Sequence, residues 1–241
     1  MFLNTSLMKF LAKTKSLLFF SFLCLIFFLT LFFINNFFLI KNIQLISDRN
    51  FSLINKDKLI KKNLFFINPD KIATEIIQEN FFIKTATVNK VWPNSLKISV
   101  SFYEPCVSLI VNNGLFNLSC DGRILQKIKA GKTLLPVINY YQKLNNGSFQ
   151  TGEWVDYKDI KQALFFIDKL KQLNIIPLAI DIKGQDVILF NLIDNKKIIF
   201  SNNKDREAQE YQLELIIRQF KIEGKDFRKI DLRFNKPIVE F

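Results

Sequence analysis

The chain has 241 residues, 49% of them hydrophobic and 27 of them Phe, with a formal charge of +12 and no histidine. Lacking histidine, it lacks the commonest general base and the commonest metal ligand. Its three cysteines, with no C-x-x-C spacing, are too few for a structural zinc site.

The apolar residues concentrate near the N-terminus. From Ser16 to Ile40 there is no Asp, Glu, Lys or Arg, and Leu17 to Ile34 is broken only by Ser21 and Thr30. At about 1.5 Å per residue, 18 to 24 helical residues cross a hydrocarbon core of about 30 Å. A cleaved signal peptide has a shorter apolar region and a small-residue cleavage site, whereas this run leads into Asn35-Asn36-Phe37-Phe38. A membrane-spanning helix is therefore expected over 17–40. Lys9, Lys13 and Lys15 precede it and only Lys41 follows closely. The positive-inside rule then keeps a tail of residues 1–16 in the cytoplasm and exports 41–241, a single-pass type II arrangement. Three of the twelve net charges precede the span, so the exported part still carries +9. An AT-rich coding bias toward Lys and Asn accounts for that charge more economically than a polyanionic partner, and no nucleic acid is expected.

Residues 41–104 read as a small α+β module. Ile43-Gln44-Leu45 suits a short strand, and a short Lys-rich helix is expected over 55–63. Asn68 and Pro69 are a cap and a first helical position, followed by the apolar stripe Ile72, Ala73, Ile76 and Ile77. Residues 83–91 form a strand, and after the turn Trp92-Pro93-Asn94-Ser95 come Leu96, Ile98, Val100 and Phe102, alternating with polar residues. The order is β-α-α-β-β, a sheet with two helices on one face.

Residues 105–241 alternate strands with two helices. Val107–Val111 and Leu115–Leu118 flank Asn112-Asn113-Gly114, a hairpin signal, and Asp121-Gly122 turns into Ile124-Leu125. A three-residue first loop places Cys106 opposite Cys120, a geometry in which an oxidising compartment allows pairing; a two-residue loop breaks that register, and because strained cross-strand disulfides are uncommon, two free thiols are expected. A helix over 156–172 aligns Ile160, Ala163, Leu164, Ile167 and Leu170. Strands follow at 177–182, 186–193 and 196–200. A helix over 205–220 aligns Leu213, Ile216, Ile217 and Phe220, and the last strands are 227–234 and 238–241. The fold class is α+β: an N-terminal transmembrane helix, the first module, then a mostly antiparallel β domain with two flanking helices.

No catalytic constellation emerges. Ala130-Gly131-Lys132-Thr133 spells the end of a phosphate loop, but Gln126 stands where its first glycine is required. Ser6-x-x-Lys9 has no S-D-N or K-T-G partner and lies before the span. Glu153, Asp156 and Asp159 cluster at a helix start, where capping accounts for them, and Trp92 and Trp154 read as packing residues. No enzyme, cofactor, metal or small-molecule substrate is expected. Function is sought in surfaces instead. Ile238-Val239-Glu240-Phe241 is apolar with one charge, poorly protected if it lies at a sheet edge and harmless if it lies centrally.

Several motifs resemble one family in the same order along the chain. Phe82-Ile83-Lys84-Thr85-Ala86-Thr87-Val88, then Trp92-Pro93-Asn94-Ser95-Leu96, then Glu104-Pro105 resemble the POTRA domain of the FtsQ/DivIB cell-division proteins, with Ser95 where that family has Thr. Phe116 to Ile124, Leu135-Pro136-Val137-Ile138 and Ile230-Asp231-Leu232-Arg233-Phe234 resemble its β domain. The resemblance implies a POTRA domain over 41–104 and a β domain over 105–241. It also implies a divisome scaffold of the inner membrane, with a periplasmic ectodomain, at the division septum. In that family the terminal strands bind the FtsB–FtsL pair. Carried over, Arg233, Phe234, Ile238, Val239, Glu240 and Phe241 are the expected contacts, by addition of a partner strand. The POTRA module and anchor are expected to meet other divisome proteins. An alternative is a POTRA-bearing envelope export or outer-membrane assembly chaperone. That class joins POTRA modules to a membrane barrel, for which the alternating segments here are too few.

Overall fold

The computed structural model describes residues 20–30, 32–53, 56–129, 131, 133–184 and 186–241. The tail 1–16 with Ser6, Lys9, Lys13 and Lys15, the start of the expected span at 17–19, Asn55, and Ala130 and Lys132 lie outside them. The chain forms two compact units, one ending at Phe102 and one beginning at Tyr103.

Helix α1 (Phe20–Phe37) is long and apolar enough to cross a membrane, and its apolar window is not buried within the protein. The rest of the first unit comprises β1 (Asn42–Ile46), α2 (Pro69–Glu79), β2 (Ile83–Val91) and β3 (Ser95–Phe102). Their sheet order is β1-β3-β2, with β1 parallel and β2 antiparallel to β3. Helix α2 begins where the cap dictates, Asn68 Oδ1 accepting from the Asp70 and Lys71 backbone amides at 3.0 and 3.3 Å. Its Ile72 and Ile76 bury against Ile83, Val88, Leu96, Ile98 and Val100 of the sheet. The helix expected over 55–63 is instead a single 3-10 turn at Lys56–Lys58. Lys61 adopts a left-handed conformation, φ 69°, which stops helix growth. Beyond it the backbone pairs with the chain leaving α1, the Leu64 amide donating to the Phe38 carbonyl at 2.8 Å.

The second unit is one open nine-stranded sheet. Its strands are β4 (Pro105–Val111), β5 (Gly114–Ser119), β6 (Ile124–Ile128), β7 (Val137–Tyr140), β8 (Ala179–Ile182), β9 (Val187–Asn191), β10 (Lys197–Ser201), β11 (Lys229–Asp231) and β12 (Ile238–Glu240). The spatial order is β12-β11-β10-β9-β8-β7-β4-β5-β6. Antiparallel pairs predominate, and the parallel ones are β10–β11, β7–β8 and β4–β7. Each of the first two parallel steps is bridged by a helix, as a parallel connection requires. Helix α3 (Lys158–Gln172) lies between β7 and β8, and α4 (Arg206–Glu223) between β10 and β11.

One face of the sheet is sealed by these helices. Ile160, Ala163, Leu164, Ile167 and Leu170 of α3 are buried as their spacing predicts, together with Phe166, whose ring stacks on Phe200 at 3.7 Å. Leu213 and Ile217 of α4 complete the core, while Ile216 and Phe220 are half-buried. The opposite face carries polar ladders: Ser108 Oγ donates to Asn117 Oδ1 at 2.8 Å, and Asn139 and Asn191 both donate to the Asp181 carboxylate. Position 114 requires glycine, because a Cβ there meets the Ile128 carbonyl oxygen at 2.4 Å.

The β4–β5 loop has two residues, Val111 pairing with Gly114, the length expected to separate the two cysteines. A bulge restores them to each other. The register shifts between Pro105 and Val107, and Cys106 joins Cys120 in a disulfide with Cα atoms 5.1 Å apart. Lys171 Nζ of α3 lies 3.3 Å from Cys106 Sγ. The carboxylates at the start of α3 divide their work. Tyr157 occupies the cap position without a side-chain cap bond, Asp156 pairs with Lys161 at 2.5 Å, and the buried Asp159 accepts from the Tyr140 hydroxyl at 3.2 Å. Trp92 and Trp154, read as packing residues, are 51% and 46% exposed.

The disulfide closes a sequence separation of 14, worth about 3 kcal/mol by loop-closure entropy. Reduction of the purified chain is expected to lower its urea-unfolding free energy by about that amount. Unfolding curves recorded with and without reductant check this, and a Cys106→Ala/Cys120→Ala chain is expected to match the reduced protein.

Candidate partner-binding edge

The residues singled out from the sequence lie at the β12 end of the large sheet, but they do not form one continuous strand. Strand β11 ends at Asp231, three residues earlier than the expected 227–234 strand, because Asp231 turns the chain on itself. Its Oδ1 accepts the Arg233 backbone amide at 3.2 Å, an Asx-turn contact that competes with extended pairing. The Arg233 guanidinium then closes on the same carboxylate through two bonds, Nε to Oδ1 at 2.9 Å and Nη2 to Oδ2 at 2.7 Å. Arg233 is thus engaged within the chain and lies over the Phe234 ring at 5.5 Å, rather than projecting from a strand.

The turn after β11 is pinned from below. Leu232 is fully buried and its amide donates to the Ile199 carbonyl at 2.8 Å. Lys204 Nζ donates to the Leu232 and Phe234 carbonyls at 3.2 and 2.7 Å, and Gln212 Nε2 of α4 donates to Asn235 O at 3.1 Å. Three carbonyls of the turn, those of Leu232, Phe234 and Asn235, are therefore met by side chains, which fixes the reversal into β12. Gln209, fully buried, clamps the end of β10 by bonding both the amide and the carbonyl of Ser201.

Strand β12 pairs only with β11, Ile230 opposite Val239 and Lys229 opposite Glu240, so it is an edge strand among the described residues. Lys229 Nζ bonds Glu240 Oε1 at 2.6 Å across the pair. Ile238 and Phe234 are each 48% exposed and Phe241 is 74% exposed. The Phe241 ring meets Phe220 of α4 at 5.8 Å, and Phe220 stacks on Phe227. An apolar rim therefore borders the edge. The opposite edge, β6, is covered at its start, where Ile124 exchanges backbone bonds with Gly152 and Glu153, and farther along it Lys127 Nζ reaches the Asn146 and Phe149 carbonyls at 2.7 Å.

Burial pushes the Asp231 carboxyl up, but the hydrogen bonds and charge of Arg233 outweigh it and hold the group below the usual carboxylate range. Among the described residues no cluster of three or more His, Cys, Asp or Glu is placed to hold a metal.

Among the described residues the architecture is therefore an apolar helix, a three-stranded α/β unit and a larger open sheet that ends on β12 and β6. Residues 40–101 match the family model of the POTRA domain, FtsQ-type. The match spans about a quarter of the chain, so the chain carries an FtsQ-type POTRA domain, the kind found in the FtsQ/DivIB cell-division proteins. No curated protein matches the chain.

A depressed folded-state pKa at Asp231 means that its stabilisation is present above about pH 4 and is lost as pH falls through the folded value. Arg233→Ala leaves a buried carboxylate without its cation. It is expected to cost about 1–3 kcal/mol at neutral pH and to flatten the acid-side loss of stability. Urea unfolding of both chains at about pH 3 and about pH 7 checks the sign.

Proposed function

We propose that the protein is a single-pass divisome scaffold of the inner membrane. In this reading α1 is the anchor, the tail before it is cytoplasmic, and both units stand in the periplasm at the septum. The β12 edge captures the FtsB–FtsL pair and links it to septal peptidoglycan synthesis.

The observation that carries the reading is the free edge of β12 in a chain with an FtsQ-type POTRA domain. A partner strand laid against β12 satisfies the main-chain groups of that edge, and alternate side chains then select the partner. Phe234, Ile238 and Phe241 supply apolar area at the rim, and Val239 backs onto Ile230. Arg233 acts here as the residue that shapes the turn, and Glu240 sets the register of β12 through Lys229. The contrast with β6 favours β12, since an edge already occupied by its own loop accepts no further strand. The POTRA unit and anchor serve other divisome partners. The export-chaperone alternative needs a closed barrel, and the described sheet is open, with β12 and β6 at its ends.

Phe234→Lys and Ile238→Lys each place a charge beside the incoming strand. Each is expected to weaken capture of FtsB by the full chain at least about tenfold in a pull-down, the order of a rim contact at a hot spot. Undiminished capture by both variants sinks the strand-addition reading. A tagged chain is expected at division septa, and a diffuse envelope signal counts against a division role.

A further inference from the structure

An aromatic cluster sits where α1 meets the first unit. The Phe38 ring packs edge-on against Phe65 at 5.0 Å and Trp92 at 5.5 Å, and Phe65 meets Trp92 at 4.9 Å. Phe37 lies against Phe38 at 5.3 Å, and Phe66 beside them is 87% exposed. Phe37, Phe65 and Trp92 are each more than half exposed, so the cluster is not core.

Backbone bonding fixes its position relative to the helix end. Ile40 exchanges bonds with Lys61 and Lys62 at 3.1 and 2.9 Å, Leu64 donates to Phe38 O, and the Lys41 amide donates to Asn94 O at 2.9 Å. Asn63 Nδ2 also donates to Asn35 Oδ1 at 2.6 Å. The two turns that carry Phe65, Phe66 and Trp92 are therefore tied to residues 35–41, the last turn of α1 and the four residues after it.

Read as a span, α1 crosses a hydrocarbon core that takes about 18 to 24 helical residues, which puts the residues around its end at Phe37 near the headgroup boundary. That boundary is where aromatic rings, apolar in body and polar at one tip, are most favourably placed. The charge pattern agrees. Segments 34–46, 59–69 and 88–95 hold Lys41, Lys61, Lys62 and Lys90 and no Asp or Glu, whereas Lys58 beside them pairs with Glu79 at 3.7 Å. Such a basic rim suits anionic headgroups.

We propose that the POTRA unit docks on the bilayer through Phe37, Phe65, Phe66 and Trp92, with the neighbouring lysines meeting anionic lipid headgroups. Docking restrains the unit on the membrane surface instead of leaving it on a free tether. It rests on reading α1 as a membrane span.

The chain has two tryptophans, Trp92 and Trp154. The full chain carrying Trp154→Phe, reconstituted into phosphatidylcholine–phosphatidylglycerol vesicles, reports on Trp92 alone. Lipid brominated near the carbonyl end of its acyl chain is expected to quench that emission at least twofold, and aqueous iodide to quench it less than in the detergent-free control peptide N-acetyl-tryptophanamide. A chain that floats with the vesicles but whose Trp92 ignores the bromines and meets iodide freely overturns the docking proposal alone. A chain that fails to float refutes the span, and the docking with it.

Discussion

An open sheet with one buried face must end somewhere, and the fate of its two edges organises the second unit. The face under α3 and α4 is held by close-packed apolar contacts, with Phe166 stacked on Phe200 near the middle. Because those helices bridge parallel steps, they also set the strand order, placing β6 at one end and β12 at the other. The segment through Gly152 and Glu153 then pairs with Ile124 and closes the β6 side. Among the described residues β12 then remains unpaired on its outer side, a short edge, apolar at its rim, that pairs with β11 and is crossed by the Lys229–Glu240 ion pair.

The turn between β11 and β12 shows how a recognisable sequence pattern can serve architecture. Asp231 ends its strand by taking the Arg233 amide and guanidinium, and burial of that carboxylate makes the arginine necessary. Lys204 and Gln212 meet the carbonyls that the reversal leaves unpaired. The side chains left exposed at this end of the sheet are consequently the apolar Phe234, Ile238 and Phe241, while the arginine is engaged in the turn itself.

The first unit is governed by the same accounting of backbone groups. The chain leaving α1 needs partners for its amides and carbonyls, and the 61–64 segment supplies them. That pairing replaces the helix expected over 55–63 with a 3-10 turn, and it brings Phe65 and Trp92 up against Phe38. Trp92, which reads as a packing residue from its type, is thereby presented with Phe65 at the end of the apolar helix.

Periodicity by itself determined the elements whose signals are local: α1 by its uncharged length, α2 by the Asn68-Pro69 start and its apolar stripe, β3 by strict alternation, and α3 and α4 by their i, i+3, i+4 spacing. The motifs around Trp92-Pro93 likewise identified the POTRA domain before any coordinates. Tertiary structure alone decided the rest. The bulge at Cys106 that permits the disulfide depends on the pairing of β4 with β5, and one shifted residue is invisible to alternation. Whether 238–241 is central or at an edge depends on strand order, a long-range property that no window of sequence carries. The end of β11 at Asp231 depends on a side chain preferring its own backbone two residues on to a further strand partner, a competition settled only when Leu232 is buried and Arg233 closes on the carboxylate.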